Sequence, residues 1–415
     1  MTRVRLRYGK GSIEVDIPEK NLMGIIEPKE LPRAVDEIKE INEAIKNPIN
    51  SKKISEIVKN KEKVVIIVSD ITRPTPSSKI LPPLLNELYS CGIKNKDVTI
   101  VFALGIHRAH TEKERKNLVG EEIYRKIRCI DHDPENCINI GKTSYGTNVD
   151  IFKPVAEADV VICTGNVEFH YFAGYSGGSK AVMPGVSSKR AIQENHRMMV
   201  LPKAEAGRLD SPVRLDIDEA GEILGVDFAL NVVLNEKKEI VKAFAGNPTD
   251  VYKAGAKYVD MMYKVPVDPA DIVITCAGGS PKDINLYQAQ KALDNAKNAV
   301  KDGGSIILVA ECSEGFGEST FEEWIREAKD PEDLIKRLEE NFVLGGHKAA
   351  AIALVMRKAE CYLVSNMPED LAKEAFFIPK GDLQEALEEA LRKQEDAKVL
   401  VMPYGGSTLP FPKTK

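Results

Sequence analysis

The chain has 415 residues, 43% of them hydrophobic and 29% charged, which provides core for two or three domains and excludes a disordered or fibrous protein. A net charge of -5 with no basic half argues against a nucleic-acid partner, and no apolar run reaches the length of a membrane span. The charged start MTRVRLRYGK is no signal peptide, and seven cysteines without a C-x-x-C pair read as reduced thiols, so a cytoplasmic enzyme is expected.

Val4 to Ile17 alternates apolar and charged residues on both sides of Tyr8-Gly9-Lys10-Gly11, which predicts a two-stranded hairpin. From Leu31 to Val58 the pattern turns helical. A unit then repeats: a short apolar run, a loop of small or polar residues, and an amphipathic helix. VVIIVSD ends at Asp70, VTIVFALG at Gly105 and DVVICTGN at Asn166. After a proline-containing join at Val265 to Pro269 the theme returns as DIVITCAGG, GSIILVAEC, CYLVSN and VLVMPYGG. Continuous apolar runs alternating with helices are the signature of parallel sheets covered on both faces. The expected fold is α/β with two domains, 1–267 and 268–415, each a mainly parallel sheet flanked by helices.

In open parallel sheets, ligands bind beyond the carboxyl ends of the strands, and the unusual residues fall there. Asp70-Ile71-Thr72-Arg73-Pro74 follows the first run, Gly105-Ile106-His107-Arg108 the second, and Gly165 through His170 the third. Across the join, Gly278-Gly279-Ser280-Pro281-Lys282 precedes a helix carrying Tyr287, Gln288 and Lys291. An active site in the interdomain cleft is the expectation.

Arg73 offers a planar fork matched to a carboxylate or phosphate, and Pro74 and Pro76 restrain its turn; a surface ion pair with Asp70 is the plainer alternative. His107 leaves a strand end and can exchange a proton near neutrality, unless it is a satisfied core histidine. His170 lies among Phe169, Tyr171 and Phe172, an aromatic setting that would desolvate it and hold it neutral as a base. His110 and His132 sit in charged segments that read as exposed, and carry no assigned role. The stretch HYFAGYSGGSKAVMPGVSSKRAIQENH, from His170 to His196, spends two of the six histidines. Its glycines, Gly174, Gly177 and Gly178, clear a path for backbone N–H groups to reach an anion, with Ser179 beside them and Lys180 as a point charge or nucleophile. A solvated lysine on a flexible loop is the competing view. A predicted helix then leads to His196, too far from any other histidine for an H-E-x-x-H pair, so the remaining ligands of a metal there must come from outside this helix, and an exogenous cofactor could supply them. Gln288 and Lys291 lie three apart on one helix face, placed to clasp a carboxylate.

Taken in order, SDITRPTP, GIHR, EFHYFAGYSGGSKAVMPG, the NH pair ending at His196, and YQAQK resemble the nickel-pincer lactate racemase family over almost the whole chain. That resemblance implies a Ni(II) ion held by a pyridinium mononucleotide carrying thioamide and thiocarboxylate groups, with His196 completing the coordination. Lys180 would contact the cofactor or be joined to it through the thioamide, and Gly177, Gly178 and Ser179 would fit its phosphate. His107 and His170 would be the two catalytic bases, one on each side of the reacting carbon, because a racemase must treat both mirror images. Arg73, Gln288 and Lys291 would hold the substrate carboxylate, with Asp70 and Tyr287 in support. The implied reaction racemises or epimerises a 2-hydroxyacid by reversible hydride transfer through a planar 2-oxoacid. Cofactor-biosynthesis enzymes would be its partners, and a homo-oligomer is compatible with the family.

One stretch departs from the family pattern. Members of the family carry an aromatic residue at the start of the helix before CYLVSN, whereas this chain reads Gly345-Gly346-His347-Lys348-Ala349-Ala350. A lost wall and gained His347 and Lys348 could admit a larger or second acidic group, so a dicarboxylate stands beside lactate. Two other readings are a nucleotide-dependent kinase or ligase built on GGSK, which fails the G-x-x-x-x-G-K-[ST] spacing because Ala181 follows Lys180, and a non-catalytic binding protein for a small carboxylate or the cofactor.

Overall fold

The computed structural model describes residues 1–58 and 63–413. The chain forms two compact units: Glu30–Met261, and Met262–Lys415 together with Met1–Lys29.

The Glu30–Met261 unit is built on a six-stranded sheet in the spatial order Ile240–Gly246, Phe228–Leu234, Val160–Asn166, Val64–Ser69, Val98–Ala103, Arg128–Asp131. All neighbours are parallel except the first pair, an antiparallel hairpin. Val64, Ile66 and Val68 pack on helices Glu37–Lys46 and Ser77–Ser90 through Ile41, Ile45, Ile80, Leu84 and Leu88. Val65 and Ile67 on the opposite face are buried as well, which is why the strand reads as an unbroken apolar run. The helical expectation for Leu31 to Val58 resolves into two pieces, Glu37–Lys46 and Ile54–Ile57. Asp36 caps the first through Lys39 N–H, and Asn47 ends it because the following Pro48 disfavours a helical residue before it.

The second unit carries an all-parallel sheet in the order Ile378–Lys380, Glu360–Val364, Val300–Val309, Ala270–Cys276, Val399–Met402, Leu22–Ile25. The expected hairpin is present as Thr2–Tyr8 paired with Gly11–Ile17, and Gly9 takes the positive φ that its tight turn requires. The expected division at 1–267 and 268–415 differs from the observed one at the N-terminus. Residues 1–29 belong with the second unit because Leu22–Ile25 is its edge strand, and Val4, Leu6, Val15 and Ile17 share a core with Ile272, Ile274, Val399 and Val401. Among the described residues the seven cysteines are unpaired, and no helix is long and apolar enough to cross a membrane.

Candidate active site

Three parallel strands of the Glu30–Met261 unit end at the expected residues. Beyond Val64–Ser69, the buried Asp70 carboxylate meets His107 Nδ1 at 2.5 Å and accepts from the Thr72 hydroxyl at 2.7 Å. A carboxylate can only accept, so Nδ1 carries the proton, and in the neutral ring Nε2 presents its lone pair. Burial acts to raise the Asp70 carboxyl, but the bonds from His107 and Thr72 outweigh it and hold the group below the ordinary aspartate range. Arg73 is exposed on the same turn, its N–H bonded to the Asp70 carbonyl at 3.2 Å. Thr75, two residues on, donates to Asn166 Oδ1 at 2.7 Å and so ties this turn to the end of Val160–Asn166.

His170 follows that third strand and pairs with Gly174 in a two-residue antiparallel bridge. Tyr171 stacks on its ring at 5.3 Å and Phe172 meets it edge-on at 4.5 Å, confirming the aromatic surroundings. Phe172 also touches His196 edge-on at 5.0 Å, so a single ring separates the two imidazoles. His196 ends helix Lys189–His196, which starts where Ser188 accepts from Ala191 N–H. Its Nδ1 donates to Asn195 Oδ1 at 2.9 Å, and Asn195 Nδ2 in turn donates to buried Asp216 at 2.7 Å. In the neutral ring this chain selects the tautomer with the lone pair on Nε2, the form a metal ligand needs.

The glycine-rich turn is held from below. Gly177 and Gly178 have φ of 88° and 56°, and Gly178–Ala181 forms a single 3-10 turn. Gly178 N–H donates to Asn231 Oδ1 at 2.7 Å, and Arg214 Nη1 donates to the Gly177 carbonyl at 3.0 Å. Arg214 is fully buried, bonded to Asp218 through Nε at 3.0 Å and lying 3.7 Å from the Tyr252 ring centroid. Burial opposes its charge, but Asp218 outweighs that effect and keeps the guanidinium charged. Ser179 is buried and Lys180 partly so. Burial first, then repulsion from Arg73 and Arg214, pushes the Lys180 amine well below the ordinary lysine range. These supports were not read from the sequence, where only the R-x-x-x-D spacing of Arg214 and Asp218 in a helix could have signalled them.

His110 and His132 are corrections, since both are buried. His110 contacts Asp131 and Ile71, and burial pushes the His132 imidazole down to about 4.

In the second unit, Asn285 caps helix Leu286–Ala296 through Gln288 N–H, and Gln288 and Lys291 stand exposed on one face. His347 and Lys348 are buried within their own unit. His347 Nδ1 accepts from Gly345 N–H at 3.0 Å, while Lys348 Nζ donates to the Tyr287 carbonyl at 2.7 Å and sits 3.9 Å from its ring centroid. Burial, with added repulsion from Lys291, brings Lys348 down to about 7, against a smaller opposing pull from Asp294.

Sequence profiles of the lactate racemase N-terminal and C-terminal domains match residues 8–207 and 265–409. The lactate racemase of Thermoanaerobacterium thermosaccharolyticum is 34% identical over 423 residues, covering 99% of each chain. That of Lactiplantibacillus plantarum is 33% identical over 430 residues, covering 98% of this chain and 99% of its own. The solved structure of the Thermoanaerobacterium apoprotein superposes with a TM-score of 0.89 over 99% of this chain and 100% of that one. A Thermotoga maritima protein, 20% identical with a TM-score of 0.64 over 94% of this chain and all of its own, shares the fold. By sequence and by architecture alike, the chain belongs to the lactate racemase family of isomerases.

Proposed function

We propose that the protein racemises a small 2-hydroxycarboxylate of the lactate type in the cytoplasm, using a nickel-pincer nucleotide as resident cofactor. The observation that carries this reading is the Asp70–His107 pair, because it leaves His107 Nε2 as a proton acceptor beside a carboxylate able to stabilise the resulting imidazolium. His170 stands in the complementary form. Its Nδ1 accepts from Ala173 N–H at 3.3 Å, which in the neutral ring puts the proton on Nε2. One imidazole thus takes the hydroxyl proton on one side of the substrate while the other can return it on the opposite side. Arg73 is assigned to the substrate carboxylate through its planar fork, and within the second unit Gln288 and Lys291 are assigned to substrate binding with Tyr287 in support.

The residues present fit the cofactor. Among the described residues no group of three or more His, Cys, Asp or Glu could hold a metal ion, so a metal at His196 needs donors of non-protein origin, which the pincer has. His196 Nε2 is the assigned ligand. Lys180, disfavoured as a cation by burial and then by two guanidiniums, is suited to bind an anionic phosphate or, as a neutral amine, to form an amide-type bond. Gly177, Gly178 and Ser179 line that contact. When bound, the cofactor supplies the hydride acceptor that side chains lack. The enzymes that build it are the expected partners for loading, and a homo-oligomer is compatible with this reading.

Lys348 beside Lys291 favours a second substrate reading, a dicarboxylate, since a buried ammonium on which Lys291 repulsion outweighs the pull of Asp294 can be stabilised by an added acid group. The test is a panel of single-enantiomer 2-hydroxyacids given to cofactor-loaded protein and resolved by chiral chromatography. Inversion of at least one is expected; inversion of none ends the racemase reading.

A further inference from the structure

The loop that follows Val98–Ala103 carries His110 as well as His107, and the two grip the Asp70 turn at different points. His107 bonds the Asp70 carboxylate, while His110 Nε2 accepts the backbone N–H of Ile71, the next residue, at 3.1 Å. His110 is itself fixed from behind. Asp131, the last residue of strand Arg128–Asp131, takes the His110 Nδ1 proton at 2.8 Å and its backbone N–H at 2.9 Å. The His110 side chain is 1% exposed, and Phe102 meets its ring edge-on at 5.2 Å. Arg115 of helix Glu112–Val119 lies 3.8 Å from Asp131, and Asp70 points to His107 and Thr72.

We propose that His110 is a positioning residue, a neutral imidazole whose tautomer is set by Asp131 and whose Nε2 holds the Ile71 amide so that Asp70 stays aligned on His107. The physical reason is donor and acceptor parity. Asp131 can only accept and the Ile71 amide can only donate, so only one neutral form of the ring satisfies both. A proton on Nε2 would set two donors against each other across 3.1 Å and release the turn. The arrangement fastens three strand ends with one buried side chain. The inference rests on the assignment of His107 as proton acceptor, so its test includes a readout that needs no turnover.

That readout is the titration of the Asp70 carboxyl, followed by carbon NMR in cofactor-free protein. Asp70 is held low by His107 and Thr72, so in His110→Phe, which fills the space without an acceptor, its midpoint should rise toward the ordinary aspartate value. His110→Gln, which can place an acceptor oxygen near the Nε2 position, should restore most of the wild-type midpoint. In cofactor-loaded protein, His110→Phe should lower kcat about tenfold with KM changed less than about twofold, and His110→Gln should recover it. An Asp70 midpoint unmoved in His110→Phe, or a glutamine variant no better than phenylalanine, overturns the proposal. If His110→Phe does not fold, Asp131→Leu, which removes the acceptor for the Nδ1 proton, carries the same test, with a rise in the Asp70 midpoint expected and an unchanged midpoint against it. Absence of turnover in wild type would count against the racemase reading, whereas the carboxyl titration judges the positioning role separately.

Discussion

Asp70 shows how one side chain's surroundings set up the proposed chemistry. Its bonds to His107 and Thr72 overcome the effect of burial, so it stays ionised at neutral pH and keeps the His107 proton on Nδ1. Asp70→Asn should lower kcat about a hundredfold or more with little change in KM, measured with loaded enzyme; an unaltered kcat would show that His107 needs no carboxylate. Because the folded value lies below the unfolded one, the stabilisation from Asp70 is present above the ordinary aspartate range and fades as pH falls through the folded value. Lys348 also makes stability rise with pH, but because burial disfavours its charged form rather than because bonds favour it. Its folded value of about 7 lies below the ordinary 10.5, so between those values the unfolded chain binds a proton that the folded chain refuses, and stability rises with pH across that window. Urea unfolding of Lys348→Met should show a smaller rise from pH 7 to 10; an equal rise would contradict the assignment. At this scale local motifs were enough to single out His107, His170, Lys180 and His196 as candidates. His110 was misread because Arg108, Glu112 and Lys113 make its segment look exposed, while its burial comes from Asp131 and Phe102, which are near only in the folded chain.

Among elements, the glycine-rich turn leaves little room for added side chains. A Cβ on Gly177 would come within 2.9 Å of both Asn231 Oδ1 and Val167 Cγ2, at a φ that side chains rarely adopt. Gly177→Ala should therefore cost about 1–3 kcal/mol in chemical denaturation and weaken retention of the cofactor by purified protein. A variant as stable as wild type would mean that the turn is less constrained than its contacts imply. Strands such as Val64–Ser69 and Ala270–Cys276 were legible because burial on both faces leaves an uninterrupted apolar spelling. The antiparallel Phe228–Leu234 and Ile240–Gly246 pair escaped notice: a run buried along its length gives no sign of its partner's direction.

For the whole molecule, the N-terminal 29 residues are the clearest case of structure hidden from a linear reading. The hairpin pattern was plain, but its attachment to a sheet formed hundreds of residues later depends on Leu22–Ile25 pairing with Val399–Met402, which no local spacing encodes. Removing residues 1–29 should strip Val4, Leu6, Val15 and Ile17 from that core, each worth about 1.5–3 kcal/mol when fully buried. Hydrogen exchange should then show lost protection in 262–413 and retained protection in 63–261. Uniform loss across both units would argue against the observed division.

The central claim is hydride transfer to and from the substrate carbon with inversion. It is tested most directly by giving cofactor-loaded protein one enantiomer of lactate deuterated at carbon 2, in ordinary water, and analysing the products by chiral chromatography with mass detection. Both enantiomers should appear with the deuterium retained; an unchanged single enantiomer, or inversion with the label lost to solvent, would contradict hydride transfer.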